Sequence, residues 1–563
     1  MKYIFKQKTI LTLFLIAVIA FTSYSFLGNG SRHFAISKNM DLYSKLYKEL
    51  NNTYVDNVEP SKLMRTGMDA MLKSLDPYTN YISEAQIETY RMQQNSAAGT
   101  IGAELMQYGE NVVIEEIIED MGAQEADLMA GDVILEVNGK SAEGRSLAEI
   151  TQVLEGQTDT DVRISVKRMG QSAPIEATIT RSKEVVTSVP YHGLLEDGIA
   201  YVKLKTFLKH GCTAEVIDAI VELEKEHGSD LKGLVFDLRF NGGGLLNEAI
   251  KMVNIFVESG KMVVSTKGKI KSWDKEYKTA AAARFAELPV TVLVNGRSAS
   301  ASEIVSGAIQ DLDRGVIIGQ RSFGKGLVQQ SKKMNIIGIG NDAQIKLTVA
   351  KYFLPSGRCV QALDYSGRYR DGTISVPDSL RTKFATENGR TVFDGSGVEP
   401  DVFTDAPKYS NVTESLRKKH LIFDYATNYR LKHDSIAAPK EYAFTDADFE
   451  GFVKFLGDKS YGYKTSSEKV IEQLQKSAEQ EKYFTAIEEN LNSLKAKITK
   501  EKSQDLYKFK DEIKDLLQTE IIKRYYYQNG AVQANLEKDV EVKQAIEVIK
   551  DQSRYKEILT VSK

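Results

Sequence analysis

Cysteine is scarce in this chain of 563 residues, which contains only Cys212 and Cys359. A sequence with so little cysteine does not depend on a disulfide framework for its stability. The two thiols could form one disulfide if the chain is exported, or stay unpaired as small core residues. Sequence spacing alone does not decide between these alternatives, because it cannot place the two side chains within bonding distance.

Histidine and an excess of either charge are also lacking. The six histidines are scattered and include no H-E-x-x-H pattern, so the sequence gives no support for zinc catalysis. The 74 basic and 77 acidic residues leave a net charge of −3, without the basic excess that nucleic-acid binding requires. We therefore expect no metal, no cofactor and no nucleic-acid partner.

Proline and glycine nearly disappear toward the C-terminus. No proline follows Pro439, and Gly530 is the only glycine after Gly462. Residues 466–563 alternate charged and apolar residues at helical spacing. The sequence predicts a helical accessory domain over residues 405–563, in which no motif suggests chemistry.

The N-terminus carries an apolar run at residues 10–27, preceded by Lys2, Lys6 and Lys8. A basic flank before an apolar stretch is typical of an export signal. The run is close to the roughly 20 residues that span a bilayer, so a retained anchor is as plausible as a cleaved peptide. The pattern of residues 1–30 therefore predicts that the remaining chain is exported and resides in the periplasm or cell envelope.

Three regions of different periodicity follow. Residues 31–95 have apolar residues at helical spacing, whereas residues 96–183 contain short strand-like runs that predict a small β-rich module. Residues 184–404 alternate buried-strand runs with helical stretches. Such alternation predicts βαβ units, a largely parallel sheet and an α/β fold.

A candidate nucleophile lies in the stretch S-A-S-A-S-E-I at 298–304, where a predicted strand ends and a helix begins. A serine at a strand-to-helix turn is exposed, and free N–H groups at the helix start can stabilise an oxyanion. The competing interpretation is structural, because Ser300 and Glu303 also form the pattern of a capping box.

A candidate base lies in the stretch S-F-G-K-G-L-V-Q at 322–329, where Lys325 stands between two glycines. A glycine-flanked lysine is often a solvated loop charge, but burial can lower its pKa until it serves as a base. The stretch also matches two other motifs. A phosphate-binding loop would need Ser or Thr at Gly326, and a penicillin-binding enzyme would need S-D-N and K-T-G, which the chain lacks.

Together the two stretches resemble the carboxy-terminal processing, or tail-specific, protease family. In that family the lysine follows the middle serine of S-A-S-A-S by 25 residues and a glutamine follows four later, which matches Ser300, Lys325 and Gln329. The resemblance implies that these residues are the nucleophile, the general base and a residue that orients the lysine. It extends over roughly residues 40–402.

Two further landmarks belong to this resemblance. The stretch D-L-R-F-N-G-G-G at 237–244 resembles the family's D-L-R-x-N-P-G-G turn, with Gly242 in place of the proline. By analogy the oxyanion hole consists of the N–H groups of Ala301 and Gly243, or alternatively Gly244. Residues 96–183 resemble the family's PDZ domain, whose peptide-binding residues would be Ile101, Gly102, Ala103, Glu104 and Leu105.

The resemblance implies a crotonase-like α/β protease core with an inserted PDZ domain, flanked by helical N- and C-terminal regions. It predicts a serine endopeptidase that captures unstructured C-terminal tails and cleaves them through an acyl-enzyme. Its partners would be protein or peptide substrates, with a regulatory adaptor, an oligomer and an N-terminal membrane anchor as further expectations. The alternative from another class is a non-catalytic PDZ scaffold with an unused active site.

Overall fold

A computed structural model of the chain describes residues 32–83, 98–183, 187–334, 343–364, 374–375, 379, 381–406 and 408–560. These residues divide into two units, one ending at Tyr81 and the other beginning at Ile82. Among the described residues, no helix combines the length and apolar character needed to cross a bilayer. The predicted export segment at 1–30 lies outside them.

The first unit is helical. It contains a helix at residues 32–53 and a second at Pro60–Lys73, which begins with proline at a position where its missing N–H costs nothing. A turn follows, in which the Asp76 carboxylate accepts the N–H groups of Tyr78 and Thr79 at 2.8 Å each. The short strand Asn80–Ile82 ends this stretch.

The β-rich module is built as its turn and cap residues predict. Asn138 and Gly139 both have positive φ, as a two-residue hairpin requires, and they join strands Val133–Val137 and Lys140–Ser141. Ser146 caps the helix Leu147–Leu154 through the N–H of Glu149. The other elements are Ala98–Thr100, Ala103–Tyr108, Asn111–Ile117, Gly122–Glu125, Gly156–Gln157, Asp161–Lys167, Ile175–Thr180 and Ser182–Lys183.

The main antiparallel sheet of this module has Ala103–Tyr108 at one edge. That strand pairs with Asn111–Ile117, and the described sheet then continues through Val133–Val137 and Asp161–Lys167 to Ile175–Thr180. An edge strand leaves a row of backbone groups without a strand partner, which is where a peptide can add to a sheet.

The next region contains a six-stranded sheet in the order Tyr191–Leu194, Ile199–Lys203, Gly233–Asp237, Val290–Val294, Val316–Gly319, Val402–Phe403. The first pair is antiparallel and the others are parallel. The α/β fold that the alternation predicts is therefore confirmed. Parallel sheets are covered by helices on both faces, which explains why the central strands are continuous apolar runs.

One face of this sheet packs on three helices, Cys212–His227, Leu246–Asn254 and Ala301–Asp311. Successive residues of a strand point to opposite faces, so Phe236 and Val292 lie on this side while Val235 and Leu293 lie on the other. The opposite face packs on the end of the chain through Leu536, Val542, Ala545, Val548, Ile549 and Tyr555.

A second antiparallel sheet stands beside the first. Strand Gln344–Phe353 pairs with Leu327–Lys333 and with Met262–Gly268, which also pairs with Lys275–Lys278. The remaining short elements are Glu196–Gly198, Lys271–Trp273, Leu363–Asp364, Ile374–Ser375, Lys383–Ala385 and Thr391–Phe393. Both cysteines are free thiols, with Cys212 buried.

In the described part of the C-terminal region, from residue 408 to 560, the regular elements are all helices. Its helices are Asn411–Lys418, Leu421–Arg430, Asp446–Leu456, Ser466–Gln480, Phe484–Lys502, Asp505–Lys508, Lys510–Asn535, Val540–Lys550 and Gln552–Ile558. Most of these form their own aromatic-rich core, which includes Tyr425, Phe449 and Phe452. The last two helices instead cover the free face of the six-stranded sheet.

Candidate active site

Ser300 stands between strand Val290–Val294 and helix Ala301–Asp311, with φ 57° and ψ −111°. An L-residue seldom adopts positive φ, and residues held there cluster at functional sites. In α/β-hydrolases a strained strand-to-helix turn carries the nucleophilic serine. Ala301 is the first residue of the helix, where its N–H has no carbonyl one turn earlier within the helix to bond.

Glu303 joins the two catalytic segments that the sequence predicts. Its Oε2 accepts the backbone N–H of Ser300 and that of Lys325, each at 2.8 Å. The two nitrogens therefore lie at most twice that distance apart, 5.6 Å. Its Oε1 accepts the N–H of Gly324 and the hydroxyl of Ser322, each at 2.6 Å. The structure thus brings Ser300 and the lysine loop together around one buried carboxylate.

Burial dominates the electrostatics of that carboxylate. Desolvation raises the pKa of Glu303 above its ordinary value, although its four hydrogen bonds favour the charged form. Four donors to one side chain leave little freedom for it to move. Glu303 therefore fixes the backbone of the lysine loop against the start of the helix.

Tyr352 forms a second link between the same two segments. Its hydroxyl donates to the carbonyl of Lys325 and lies 3.3 Å from the carbonyl of Ser300. The residue is only 2% exposed, in strand Gln344–Phe353. A buried phenol that contacts both carbonyls helps to hold the two backbone segments at a fixed separation.

The environment of Lys325 favours its neutral form. Burial is the main reason that the pKa of Lys325 lies below the ordinary lysine value, and the charge of Lys346 lowers that pKa further. The negative charge of Glu303 has the opposite effect and is the smallest of the three influences. Lowering the pKa of a lysine increases the fraction of the amine that is neutral at a given pH and can accept a proton.

Gln329 lies on strand Leu327–Lys333, opposite Thr348 of the neighbouring strand. Its Nε2 donates to the Thr348 hydroxyl at 3.2 Å. This contact fixes the amide group on the strand that begins two residues after Lys325. The role of Gln329 in orienting the lysine stays a prediction.

Gly243 approaches the nucleophile very closely. A Cβ built on it would lie 2.8 Å from the nitrogen of Ala301 and 2.9 Å from the Cβ of Ser300. Its φ is +96°, a conformation that favours glycine. Its N–H donates to Oδ1 of Asn241 at 2.9 Å. The Gly243 backbone therefore borders the predicted oxyanion hole, while the choice between the Gly243 and Gly244 N–H as donor stays open.

The glycine turn is bonded directly to the loop before the nucleophile. The carbonyl of Asn241 accepts the N–H of Ala299 at 3.0 Å and the hydroxyl of Ser302 at 2.8 Å. The carbonyl of Leu238 accepts the hydroxyl of Ser298 at 2.8 Å. The serines on either side of Ser300 thus have structural roles, and they hold the turn against the helix start.

The residues predicted to bind peptide in the β-rich module lie at the start of its edge strand. Ile101 is 2% exposed and packs in the core of the module, so its side chain does not line a surface groove. Gly102 has φ +80°, and its N–H donates to the hydroxyl of Thr100 at 3.2 Å. Ala103 and Leu105 are partly buried against the same core.

The Glu104 side chain extends toward Lys205. Its carboxylate lies 3.3 Å from Nζ of Lys205 in the α/β core, and both side chains are about half exposed. Exposed pairs of this kind contribute little to stability. The contact places the predicted peptide-binding strand beside the protease core.

Sequence analysis missed three contributors to the site. Glu303 was interpreted only as a capping residue, and no role in the site was predicted for Tyr352. The third is Arg239, whose partners Asp539 and Glu541 lie 300 and 302 residues further along the chain. The D-L-R pattern was the available signal for Arg239, but no local pattern could reveal carboxylates so distant in sequence. In the described part of the chain, no cluster of His, Cys, Asp and Glu could hold a metal ion.

A half-buried serine on a strained turn lies beside a half-buried lysine in this α/β fold, which is the arrangement that the sequence predicts for a serine hydrolase. Comparison with family models agrees with this class. Residues 198–365 match peptidase family S41, residues 113–168 match the PDZ domain, and residues 412–549 match the C-terminal helical domain of a probable PDZ-protease.

Relatives extend the match over most of the chain. A carboxy-terminal-processing protease of Bartonella bacilliformis is 33% identical over 327 residues, 58% of this chain and 73% of that protein. A probable CtpA-like serine protease of Staphylococcus aureus is 30% identical over 410 residues, 71% of this chain and 72% of that protein. The solved photosystem II D1 C-terminal processing protease is 26% identical, covering 65% of this chain and 92% of its own, with a TM-score of 0.36.

The chain belongs to the carboxy-terminal-processing protease family, within peptidase family S41. The family that the two sequence motifs resemble is thereby confirmed, as are its α/β fold, PDZ domain and C-terminal helical domain. A PDZ domain fits the binding of a peptide substrate, because it presents a sheet edge to an extended chain.

Proposed function

We propose that the chain is a serine endopeptidase in which Ser300 is the nucleophile and Lys325 the general base. The observation that carries this proposal is the single carboxylate oxygen of Glu303, which binds the N–H groups of both residues. The lowered pKa of Lys325, caused mainly by burial, supports the role of its amine as a base.

The reaction begins when Ser300 Oγ attacks the scissile carbonyl and its proton passes to neutral Lys325. The N–H of Ala301 and one N–H of the glycine turn stabilise the oxyanion. Collapse of the tetrahedral intermediate breaks the C–N bond, and the protonated lysine supplies a proton to the leaving amine. Water then hydrolyses the Ser300 ester, with Lys325 again as base and Gln329 orienting its amine.

The proposed substrates are unstructured C-terminal tails of envelope proteins. Strand Ala103–Tyr108 is an edge strand with helix Leu147–Leu154 beside it, which suits addition of a peptide strand. The basic and apolar N-terminus supports export of the chain to the periplasm or envelope, with residues 10–27 as a signal or anchor. An adaptor and an oligomer stay predictions from the family resemblance.

Cleavage of an unfolded protein with a free C-terminal tail tests the reaction. We expect wild-type protein to release products that mass spectrometry detects, and Ser300→Ala to release none while its circular dichroism is unchanged. Unaltered turnover in Ser300→Ala would refute the assignment of the nucleophile. Binding of the tail without products from wild-type protein would instead favour the PDZ scaffold.

The physiological substrates are tested in the source cells. Mass spectrometry of envelope proteins from cells carrying wild-type or Ser300→Ala protein should reveal proteins whose C-termini stay longer in the variant. Unchanged C-termini throughout the envelope would contradict the proposed substrate class.

A further inference from the structure

Arg239 lies in the turn that follows strand Gly233–Asp237, and its side chain is 11% exposed. Its Nε and Nη2 donate to the two carboxylate oxygens of Asp237 at 3.0 and 2.7 Å. The remaining nitrogen, Nη1, donates to Asp539 at 2.7 Å and to Glu541 at 3.2 Å. Because a guanidinium directs its donors in a rigid plane, carboxylates on both sides fix its position.

The turn that Arg239 occupies holds the loop before the nucleophile. Leu238 and Asn241, on either side of it, provide the carbonyls that bind Ser298 and Ala299. A shift of the Arg239 backbone would therefore move both of these acceptors. It would also move Gly243, which borders the predicted oxyanion hole.

Glu541 reaches the lysine loop as well. Its Oε1 accepts Nε2 of Gln320 at 2.7 Å, while its Oε2 accepts Arg239. Gln320 follows strand Val316–Gly319 and begins the loop that leads to Lys325. One carboxylate of the C-terminal region thus binds both the glycine turn and the lysine loop.

The two carboxylates are themselves held on a rigid element. Asp539 caps the helix Val540–Lys550 by accepting the N–H of Val542 at 3.0 Å. That helix packs on the six-stranded sheet through Val542, Ala545 and Ile549, all of which are buried. Groups supported in this way can define distances within a site to a fraction of an ångström.

We propose that Asp539 and Glu541 are positioning residues of the peptidase, which fix the glycine turn and the lysine loop relative to each other. This inference rests on the proposed roles of Ser300 and Lys325. The match to the peptidase family ends at residue 365, so both carboxylates lie in sequence outside that match. The catalytic geometry of this chain therefore depends on its C-terminal helical domain.

The test compares Asp539→Asn, Glu541→Gln and the control Glu537→Gln, whose exposed carboxylate lies in the same segment. Each variant is titrated with an active-site serine reagent, so that kcat refers to competent sites only. A misplacement of about 1 Å costs on the order of a hundredfold in rate, so a shift of about half that size in each positioning variant should cost roughly tenfold in kcat. KM should change less than about twofold, and Glu537→Gln should match wild type.

A purely structural role would lower the melting temperature and the number of titrated sites, but not kcat per site. Wild-type kcat per site in both variants would therefore overturn the inference. If Asp539→Asn and Glu541→Gln do not fold, the variant Gln320→Leu removes the bond to Glu541 from the protease side. An unchanged kcat per site in Gln320→Leu would also overturn the inference. Failure of wild-type protein to cleave would refute the proposed function and this inference with it, whereas wild-type cleavage with unaffected variants refutes the inference alone.

Discussion

Replacing Gly243 with alanine adds a methyl group at the point where the glycine turn meets the nucleophile. The new Cβ would lie 2.6 Å from the carbonyl oxygen of Ala299 and 2.8 Å from the nitrogen of Ala301. Both contacts are shorter than carbon normally tolerates, and both involve backbone atoms that no side-chain rotation can move away. Alanine would also have to adopt φ +96°, a strained conformation for an L-residue.

The magnitude of the effect follows from these distances. An oxyanion must lie about 2.7–3.1 Å from its N–H donors, which is the space that the methyl group would fill beside Ala301. Loss of one such donor lowers kcat about 100- to 1000-fold, equivalent to roughly 2.7–4 kcal/mol. The left-handed backbone adds about 1–2 kcal/mol of destabilisation to the fold.

The assay is steady-state cleavage of a fluorogenic peptide, together with a thermal melt. Gly242→Ala is the matched control, because a Cβ on Gly242 would meet nothing within 4 Å. We expect Gly242→Ala to retain wild-type kcat and Gly243→Ala to lose it, with KM little changed. Full activity of Gly243→Ala would show that the glycine turn does not border the oxyanion, and would refute the reasoning.

Three other perturbations follow from the described contacts. Lys346→Gln removes a positive charge that lowers the pKa of Lys325, so the pKa of Lys325 should rise. In a pH–rate profile the increase of kcat/KM with pH should then move to higher pH, and an unmoved profile would contradict this prediction. Glu303→Gln turns an amide NH₂ toward backbone donors and leaves buried N–H groups without acceptors, which costs about 1–3 kcal/mol of stability for each group. Turnover and the melting temperature should both fall, and a stable, active variant would contradict this prediction. Arg168→Met leaves the buried carboxylate of Asp132 without its bidentate partner. Denaturant titrations should show the PDZ domain destabilised by about 3–5 kcal/mol, and a loss of stability under about 1 kcal/mol would contradict this prediction.

The candidate catalytic residues can be recognised in the sequence because their signals are local, while their catalytic roles stay a proposal. Each of the two motifs is a contiguous stretch, and the separation between Ser300 and Lys325 is fixed by one helix and one strand. The capping pattern at Glu303 was also a valid observation, since its carboxylate does accept the N–H of Ser300. Its other partners lie 19 to 22 residues later, where local capping rules make no statement.

The packing of the last helices could not be predicted in the same way. The burial of every residue of Val290–Val294 agrees with a strand covered on both faces. The apolar stripe of an amphipathic helix indicates that one face of the helix is covered, but it does not indicate which element covers that face. The sequence therefore predicted helices after residue 405, but not that Val542 and Ile549 pack against the sheet of the protease.

The position of these helices has a consequence for how the protein matures. Strands that are made early in synthesis acquire their second covering layer only when residues beyond 536 have emerged. Domains generally fold one after another as a chain is produced. In this chain, one apolar face of the six-stranded sheet stays uncovered until the last helices pack on it. Until these helices pack on the sheet, the glycine turn and the lysine loop lack their common partner Glu541, so proteolytic activity would follow the docking of the last two helices.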